Sequence, residues 1–148
     1  MPGNRLQYLT ANDWVLIQAQ AVRRTFNLGE EIIRQGDWGD HICIIRRGEA
    51  SVEMAGTGTR TIVASLGPDD VCGEIAFLEQ SRASAAVVAK AEAVEVDEIS
   101  AVELRKILEA FPRLASRFYH SVALALAQRL KATSRELARE TTLRDRRE

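Results

Sequence analysis

Residues 26–52, FNLGEEIIRQGDWGDHICIIRRGEASV, decide the fold, because short β-branched runs alternate in them with glycine-containing turns. The segment GDWGD at 36–40 is typical of a tight turn. The compact run HICIIRR at 41–47 predicts a buried strand that ends at Gly48. Apolar and polar residues then alternate over 50–54, which is the period of a half-buried strand.

The strand pattern extends over about 22–99. The segment GTG at 56–58 is typical of a hairpin tip, and the return strand ends at the turn GPDD, 67–70. The last strands are expected at 87–89 and 93–99. The sequence therefore predicts roughly eight short strands.

Helical patterns precede and follow these strands. Thr10 suits the N-cap of a helix over about 11–22. Ser100 and Glu103 form a capping-box pattern for a helix that reaches about Ala110. One helix is thus predicted before the strands and another directly after them.

A second C-terminal helix is predicted from Pro112, a residue that suits a first helical turn. Apolar residues then recur at a spacing of four, which predicts one long amphipathic helix. They are Leu114, Phe118, Val122, Leu126 and Leu130, with Leu137 extending the stripe. We expect the C-terminal helices to occupy about 100–140 and the densely charged residues 138–148 to fray.

These elements predict an α+β fold, a jelly-roll-like β-barrel with an N-terminal helix and two C-terminal helices. The length of 148 residues favours one domain, which we place at about 6–137.

Composition restricts the function classes. The formal net charge of −1 argues against a general electrostatic grip on nucleic acid or on an anionic membrane. Cys43 and Cys72 are too few for a disulfide framework and favour a reduced, cytoplasmic setting. No apolar run approaches the ~18 to 20 residues that span a membrane, and the opening MPGNRLQYLT lacks the apolar centre of a signal peptide. We therefore expect no membrane insertion.

The segment VCGEIAFLEQSRASAAV, residues 71–87, interrupts the strands with a short predicted helix. Gly73 lets the backbone approach a ligand closely, and the first amides of a helix that starts at Glu74 can bind an anion. Arg82 can return a guanidinium to the same place, whereas an ionised Glu74 needs a donor such as a sugar hydroxyl. These groups together predict a pocket for a sugar phosphate.

With this segment in place, the chain resembles the cyclic nucleotide-binding domains of bacterial regulators, cyclic-AMP-dependent kinases and gated channels. The resemblance covers about residues 6–137. GEIAFL resembles the start of the family's phosphate-binding cassette, SRASAAVVA its end, and the terminal helices its hinge and lid helices. The glycines that match in order before the cassette are Gly29, Gly36, Gly39 and Gly48.

The resemblance implies a non-catalytic sensor that binds cyclic AMP or cyclic GMP and signals through its C-terminal helices. It implies that Glu74 accepts from the ribose 2′-hydroxyl, that Arg82 pairs with the cyclic phosphate, and that nearby amides complete the cradle. The implied ligand-binding residues are Gly73, Glu74, Ile75, Ala76, Arg82, Ala83, Ser84 and Ala85. No catalytic residue, metal or cofactor is implied.

The cassette departs from the family pattern where the family has a hydroxyl shortly after its arginine. Counting forward from Arg82 puts Ala85 at that position. Counting back from Val87 puts Ala86 there and moves the arginine position to Ala83. Neither register supplies the hydroxyl. The loss of its hydrogen bond to the phosphate would weaken binding ~10- to 100-fold.

Two functions stay open on this pattern. In the sensor hypothesis, Ser84 is the one residue that can substitute for the missing hydroxyl. In the alternative, the fold no longer binds nucleotide and acts as a protein–protein interaction scaffold, so that Arg82 is dispensable. In either case the apolar face beyond about Leu126 needs a cover, which is a second copy of the chain, closure over the nucleotide, or an unknown effector protein.

Enzymatic and nucleic-acid-binding functions find no support in the residues. A cupin-type metal site needs several converging histidines, whereas the chain has only His41 and His120. No nucleophile, base and orienting group occur in a recognisable set. The basic residues of the long helix, including Arg129, alternate with glutamates and predict a solvated face. The sequence after this helix is too short for a helix-turn-helix domain, so we expect no direct nucleic-acid binding.

Overall fold

The computed structural model describes residues 4–147, which form four helices and eight strands. The helices are α1 (Ala11–Gln20), α2 (Glu74–Glu79), α3 (Ala101–Ala110) and α4 (Pro112–Asp145). The strands are β1 (Val22–Phe26), β2 (Glu31–Ile33), β3 (His41–Arg47), β4 (Ala50–Ala55), β5 (Arg60–Leu66), β6 (Val71–Cys72), β7 (Ala86–Ala89) and β8 (Val94–Ser100).

The strands form two four-stranded antiparallel sheets, in the orders β1-β8-β3-β6 and β2-β7-β4-β5. The predicted α+β jelly-roll with an N-terminal helix and C-terminal helices is confirmed. The hairpin tip predicted at 56–58 connects β4 to β5, and the short helix predicted after Gly73 is α2. Helix α1 ends two residues earlier than predicted, because Val22 already pairs with Glu98 of β8.

Strand β3 separates the two parts of the core. Its side chains alternate, so Ile42 and Ile44 pack against the helices while Cys43 and Ile45 pack between the sheets. Because both faces are covered, the central residues 42–45 of this strand are all apolar rather than alternating. Cys72 of β6 lies opposite Cys43, and a hydrogen bond with Cys43 together with burial raises the pKa of the Cys72 thiol. The two thiols are core groups.

Helix α4 buries the first part of the predicted stripe, Leu114, Phe118 and Val122, and its buried face then departs from that stripe. Its buried residues are Leu114, Phe118, Ser121, Val122 and Ala125. A strict spacing of four residues drifts by about 40° per step around a helix of 3.6 residues per turn. Leu130 and Leu137, at the end of the predicted stripe, are therefore 69% and 59% exposed.

Helix α4 also continues further than predicted. The expected frayed tail over 138–148 is helical to Asp145, although residues 133–147 are exposed throughout, and Glu148 lies outside the described residues. The prediction weighed charge alone, whereas the arginines, glutamates, alanines and leucines of this segment are strong helix formers. Within residues 4–147, no helix is both long and apolar enough to cross a membrane.

The base of α4 is tied to α1 by an ion pair. Arg117 donates from Nε and Nη2 to the two carboxylate oxygens of Asp13, at 2.7 and 2.8 Å. Asp13 also completes a capping box with Thr10 at the start of α1. The hydrogen bond from Arg117 is the largest cause that lowers the pKa of Asp13, to about 2. The position of α4 on the barrel thus depends on this buried carboxylate.

Asp13→Asn should destabilise the fold by about 1 to 3 kcal/mol at neutral pH, because a hydrogen-bonded charge is removed. The folded-state pKa of Asp13 is depressed, so its contribution is complete above the unfolded-state pKa of about 3.9 and is lost as pH falls towards about 2. Urea denaturation at several pH values should show that the variant loses less stability than the wild type between pH ~4 and ~2. Asp145→Asn, at the exposed end of α4, is the control and should follow the wild type.

Gly73 makes the turn from β6 into α2. Its φ is +88°, a left-handed conformation that other residues rarely adopt. A Cβ added here would lie 2.7 Å from the carbonyl oxygen of His41, which is backbone and cannot rotate away. Gly29 has nearly the same φ, +87°, but has nothing within 4 Å of an added Cβ.

This pair separates backbone strain from steric clash. Gly29→Ala should cost about 1 to 2 kcal/mol through the positive φ alone. Gly73→Ala should cost a further ~1 to 3 kcal/mol, because β3 and the start of α2 must move apart. Free energies of unfolding from urea titrations measure the difference, and equal values for the two variants would contradict the close approach.

Candidate functional site

A cavity that is partly open to solvent lies between the second sheet, α2 and α4, with about 480 Å³ of empty space when the open solvent at its mouth is included. Its barrel residues are Ile33, Val52, Leu66, Val71, Cys72 and Val87. Its cassette residues are Gly73, Glu74, Ile75, Ala76, Ala83, Ser84 and Ala85, and Asn4 and Arg129 complete the wall. A mostly apolar wall with a few polar groups is typical of a small-molecule site. Seven of the eight predicted site residues therefore lie together.

Glu74 is the buried charge of this cavity, with 3% of the residue exposed. Its Oε1 accepts a hydrogen bond of 2.7 Å from Nδ2 of Asn4 and lies 3.6 Å from Nη1 of Arg129. Burial raises the pKa of the Glu74 carboxyl, while the hydrogen bond from Asn4 and the charge of Arg129 act in the opposite direction. In its ionised form Glu74 is an acceptor suited to a ligand hydroxyl.

Arg129 is a cavity residue that the sequence prediction assigned to a solvated face. Its side chain is 24% exposed and reaches Glu74 from α4. The spacing along the helix could have indicated that Arg129 is partly buried. Arg129 follows Val122 by seven residues and Ala125 by four, and so continues the buried face of the helix. A single arginine on an otherwise buried face indicates a partner inside the fold.

Arg82 is the one predicted site residue that does not line the cavity. Its guanidinium lies 4.7 Å from the ring centroid of Trp38, and Nη1 donates to the carbonyl of Gly36 at 3.0 Å. Arg82 and Trp38 form an isolated antiparallel bridge, which Ala83 completes by exchanging hydrogen bonds with the 36–37 turn. The Arg82 side chain thus lies outside the cavity that it was expected to face. Its pairing with a phosphate stays a prediction.

The bridge determines which residues at the end of the cassette line the cavity. Ala83, Ser84 and Ala85 line the cavity, whereas Arg82 and Ala86 do not, so the lining matches neither register completely. Ala86 is buried in β7, and Ser84 carries the only hydroxyl among the cavity-lining residues that the structure describes. Ser84 precedes Ala85 by one position and Ala86 by two, and these are the alanines at which the two registers place the family's hydroxyl.

Neither histidine lines the cavity. His120 stacks on Tyr8 with ring centroids 4.1 Å apart, and His41 begins β3. Over residues 4–147, no three His, Cys, Asp or Glu side chains are grouped in a way that could hold a metal ion. The polar chemistry of the cavity is therefore that of Asn4, Glu74, Ser84 and Arg129.

Two curated proteins show clear similarity to the chain. It is 31% identical over 135 residues to Cyclic GMP-binding protein C of Dictyostelium discoideum, covering 86% of this chain and 5% of that protein. It is 32% identical over 117 residues to the Cyclic AMP receptor protein of Thermus thermophilus, covering 78% of this chain and 51% of that protein. The chain thus spans about half of one relative and a small part of the other.

Solved structures share the fold. The Catabolite Activator Protein of Thermus thermophilus superposes with a TM-score of 0.74 at 25% identity, covering 90% of this chain and 61% of that chain. The regulator CLP of Xanthomonas campestris, described as responsive to c-di-GMP, superposes with a TM-score of 0.78 over 88% of this chain and 64% of that chain. At 20% identity, the second similarity shows the fold alone.

The family model described as "Cyclic nucleotide-binding domain" matches residues 23–111, from β1 to the end of α3. This range contains the cassette and nearly all of both sheets. The chain belongs to the cyclic nucleotide-binding domain family.

Proposed function

We propose that the chain is a non-catalytic sensor module that binds cyclic AMP or cyclic GMP in the cavity beside α2. The observation that carries the proposal is the buried carboxylate of Glu74, which lines the cavity and which the resemblance matches to the acceptor for the ribose hydroxyl. A buried carboxylate is costly unless donors surround it, so its retention here suits a ligand that supplies one more donor.

In this proposal the cyclic phosphate lies near Ser84 and the cassette backbone of Ala83 and Ala85. Arg129 is the only cationic side chain among the cavity-lining residues within 4–147. Its contact with Glu74 is 3.6 Å, longer than a charged hydrogen bond, so a phosphate oxygen can compete for the same guanidinium. Arg129 then supplies the charge that Arg82 supplies in the predicted arrangement.

Signalling through the C-terminal helices follows from the location of Arg129. A ligand that contacts this residue acts directly on α4, whose next residues leave the barrel. The ligand changes the position of α4 only by its difference in affinity for the two positions. Phe111 is the single residue between α3 and α4 and is 45% exposed. It is therefore the point at which α4 can change its angle to α3.

The exposed part of α4 is the surface for a partner in this proposal. Leu130, Leu137 and Leu143 are each more than half exposed. Leu130 and Leu137 are seven residues apart, which is the repeat of a two-stranded coiled coil, so we favour a homodimer over an unknown effector. The proposed setting is cytoplasmic, without membrane insertion and without direct contact to nucleic acid.

A second candidate is a scaffold that has kept the fold but lost the nucleotide. It is favoured by the contact of Arg82 with Trp38 outside the cavity and by the absence of a hydroxyl at Ala85 and Ala86. The scaffold would act through α4 alone and would not respond to nucleotide.

Titration calorimetry with cyclic AMP and cyclic GMP tests the sensor function. We expect saturable binding that Arg129→Ala weakens about 10- to 100-fold, because a charged hydrogen bond to phosphate is lost. Arg135→Ala, on the exposed part of the same helix, is the matched control and should leave the affinity unchanged. Arg82→Ala should weaken binding less than Arg129→Ala.

A thermal scan gives an independent measurement. Ligand at 100 times its dissociation constant stabilises by ~2.7 kcal/mol, which raises the melting temperature by roughly 5 to 10 °C for a chain of about this size. No heat and no thermal shift with either nucleotide at millimolar concentration would reject the sensor function and favour the scaffold. A larger loss in Arg82→Ala than in Arg129→Ala would show that the cassette rearranges to bring Arg82 to the phosphate.

A further inference from the structure

Asn4 is buried beside the cavity although it lies before the first helix, with 3% of the residue exposed. Both the amide and the carbonyl of its main chain make hydrogen bonds. The Asn4 amide donates to Oδ1 of Asp70 at 2.9 Å, and the amide of Val71 donates to the Asn4 carbonyl at 2.9 Å. These bonds attach the N-terminal segment to the edge of β6, next to the start of the cassette.

The side chain of Asn4 makes two further bonds. Its Nδ2 donates to the Val71 carbonyl at 2.6 Å and to Oε1 of Glu74 at 2.7 Å. The bonds of the main chain are available to almost any residue, whereas these two need a side-chain amide of this length. The second one brings a neutral donor to a buried carboxylate from a segment 70 residues away in the chain.

We propose that Asn4 is a positioning residue of the nucleotide site, holding Oε1 of Glu74 so that the second carboxylate oxygen is presented to a ligand hydroxyl. The inference rests on the proposed function of this cavity. Asn4 and Arg129 both contact Oε1, from the N-terminal segment and from α4 respectively. The carboxylate is therefore held from two sides, with its plane set before the ligand arrives.

Two side chains from other elements act on Glu74, and the pKa of the nearby Cys72 thiol is itself raised in part by the charge of Glu74. Arg129 faces it from α4, the Cys72 thiol precedes it at the end of β6, and Asn4 faces it from the N-terminal segment. Burial raises the pKa of Glu74, and the hydrogen bond from Asn4 is one of the contacts that lowers it. Without Asn4 the carboxyl should take up a proton at higher pH, and a protonated carboxyl is a poorer acceptor for a hydroxyl.

The geometry also allows Asn4 to compete with the ligand or to have only a structural role. The experiment distinguishes these roles from the positioning of Glu74. If the Asn4 amide occupied the place of the ligand hydroxyl, it would compete with nucleotide, and its removal would increase the affinity. If Asn4 only attached the N-terminal segment to β6, its side chain would affect stability and leave the affinity and its pH dependence unchanged.

The experiment is calorimetry of the full chain with cyclic AMP and cyclic GMP over a range of pH. Asn4→Ala should reduce the affinity about tenfold at neutral pH, the effect of one hydrogen bond to a charged group. It should also move the acidic loss of binding to higher pH, because a carboxyl with a higher pKa is protonated earlier as pH falls. Asn4→Asp, of nearly the same shape, should move it further, since two carboxyls then share the site.

Arg5→Ala is the matched control from the same segment. Arg5 donates to the Pro68 carbonyl at 3.3 Å and does not line the cavity, so this variant disturbs the attachment without removing a contact to Glu74. Its affinity and pH profile should equal those of the wild type. Thermal scans without nucleotide verify that each variant is folded, and Asn4→Ser replaces Asn4→Ala if the latter is not.

A second readout does not depend on nucleotide. Carbon-detected NMR titration of the Glu74 carboxyl in the ligand-free protein should give a higher pKa in Asn4→Ala than in the wild type and no change in Arg5→Ala. If the wild type binds neither nucleotide, the proposed function fails, and the NMR titration alone decides whether Asn4 positions Glu74. An unchanged Glu74 pKa, or an affinity that rises or stays the same in Asn4→Ala, would overturn the inference.

Discussion

The buried carboxylate of Glu74 is the group around which this end of the molecule is organised. Only 3% of the residue is exposed, so it cannot rely on water and needs donors from the protein. The donors come from the two ends of the chain, the amide of Asn4 and the guanidinium of Arg129. Satisfying one carboxylate thus attaches the N-terminal segment and the last helix to the same side of the barrel.

Helix α4 consequently has three regions with different constraints. Its base is bonded to α1 through Asp13 and Arg117, its middle reaches the cavity through Arg129, and its outer half from 133 onwards is exposed. In the proposed function, a ligand in the cavity would contact α4 between a region bonded to the barrel and an exposed region. This arrangement favours movement of the outer half, where a small rotation is not opposed by packing.

The cassette has its arginine outside the cavity. The bridge between Trp38 and Arg82 determines which residues line the cavity, and a shift of one residue in an extended segment turns a side chain to the other side. Arg82 therefore stacks on Trp38, and Ala83 lines the cavity. Arg129 is then the cation nearest to the proposed phosphate site, which places the charge on the helix that would transmit the signal.

The sequence by itself was sufficient for the fold class, the strand region and the location of the cassette. These features depend on local patterns, such as the β-branched run of β3 and the glycine at 73, whose left-handed φ and contact with the His41 carbonyl leave no room for a side chain. Seven of the eight predicted site residues also lie close together in sequence, so a short turn and helix were enough to bring them to one cavity.

Only the tertiary structure decided the rest. The contact between Asn4 and Glu74 joins residues 70 apart, and no periodic pattern in the sequence marks such a pair. Arg129 could be recognised by its spacing from Val122 and Ala125, but only once the buried face of α4 is known to follow a period of 3.6 residues. The orientation of Arg82 depends on a bridge to a loop more than 40 residues earlier in the chain, because strand pairing, and not local preference, determines which side of an extended segment a residue faces.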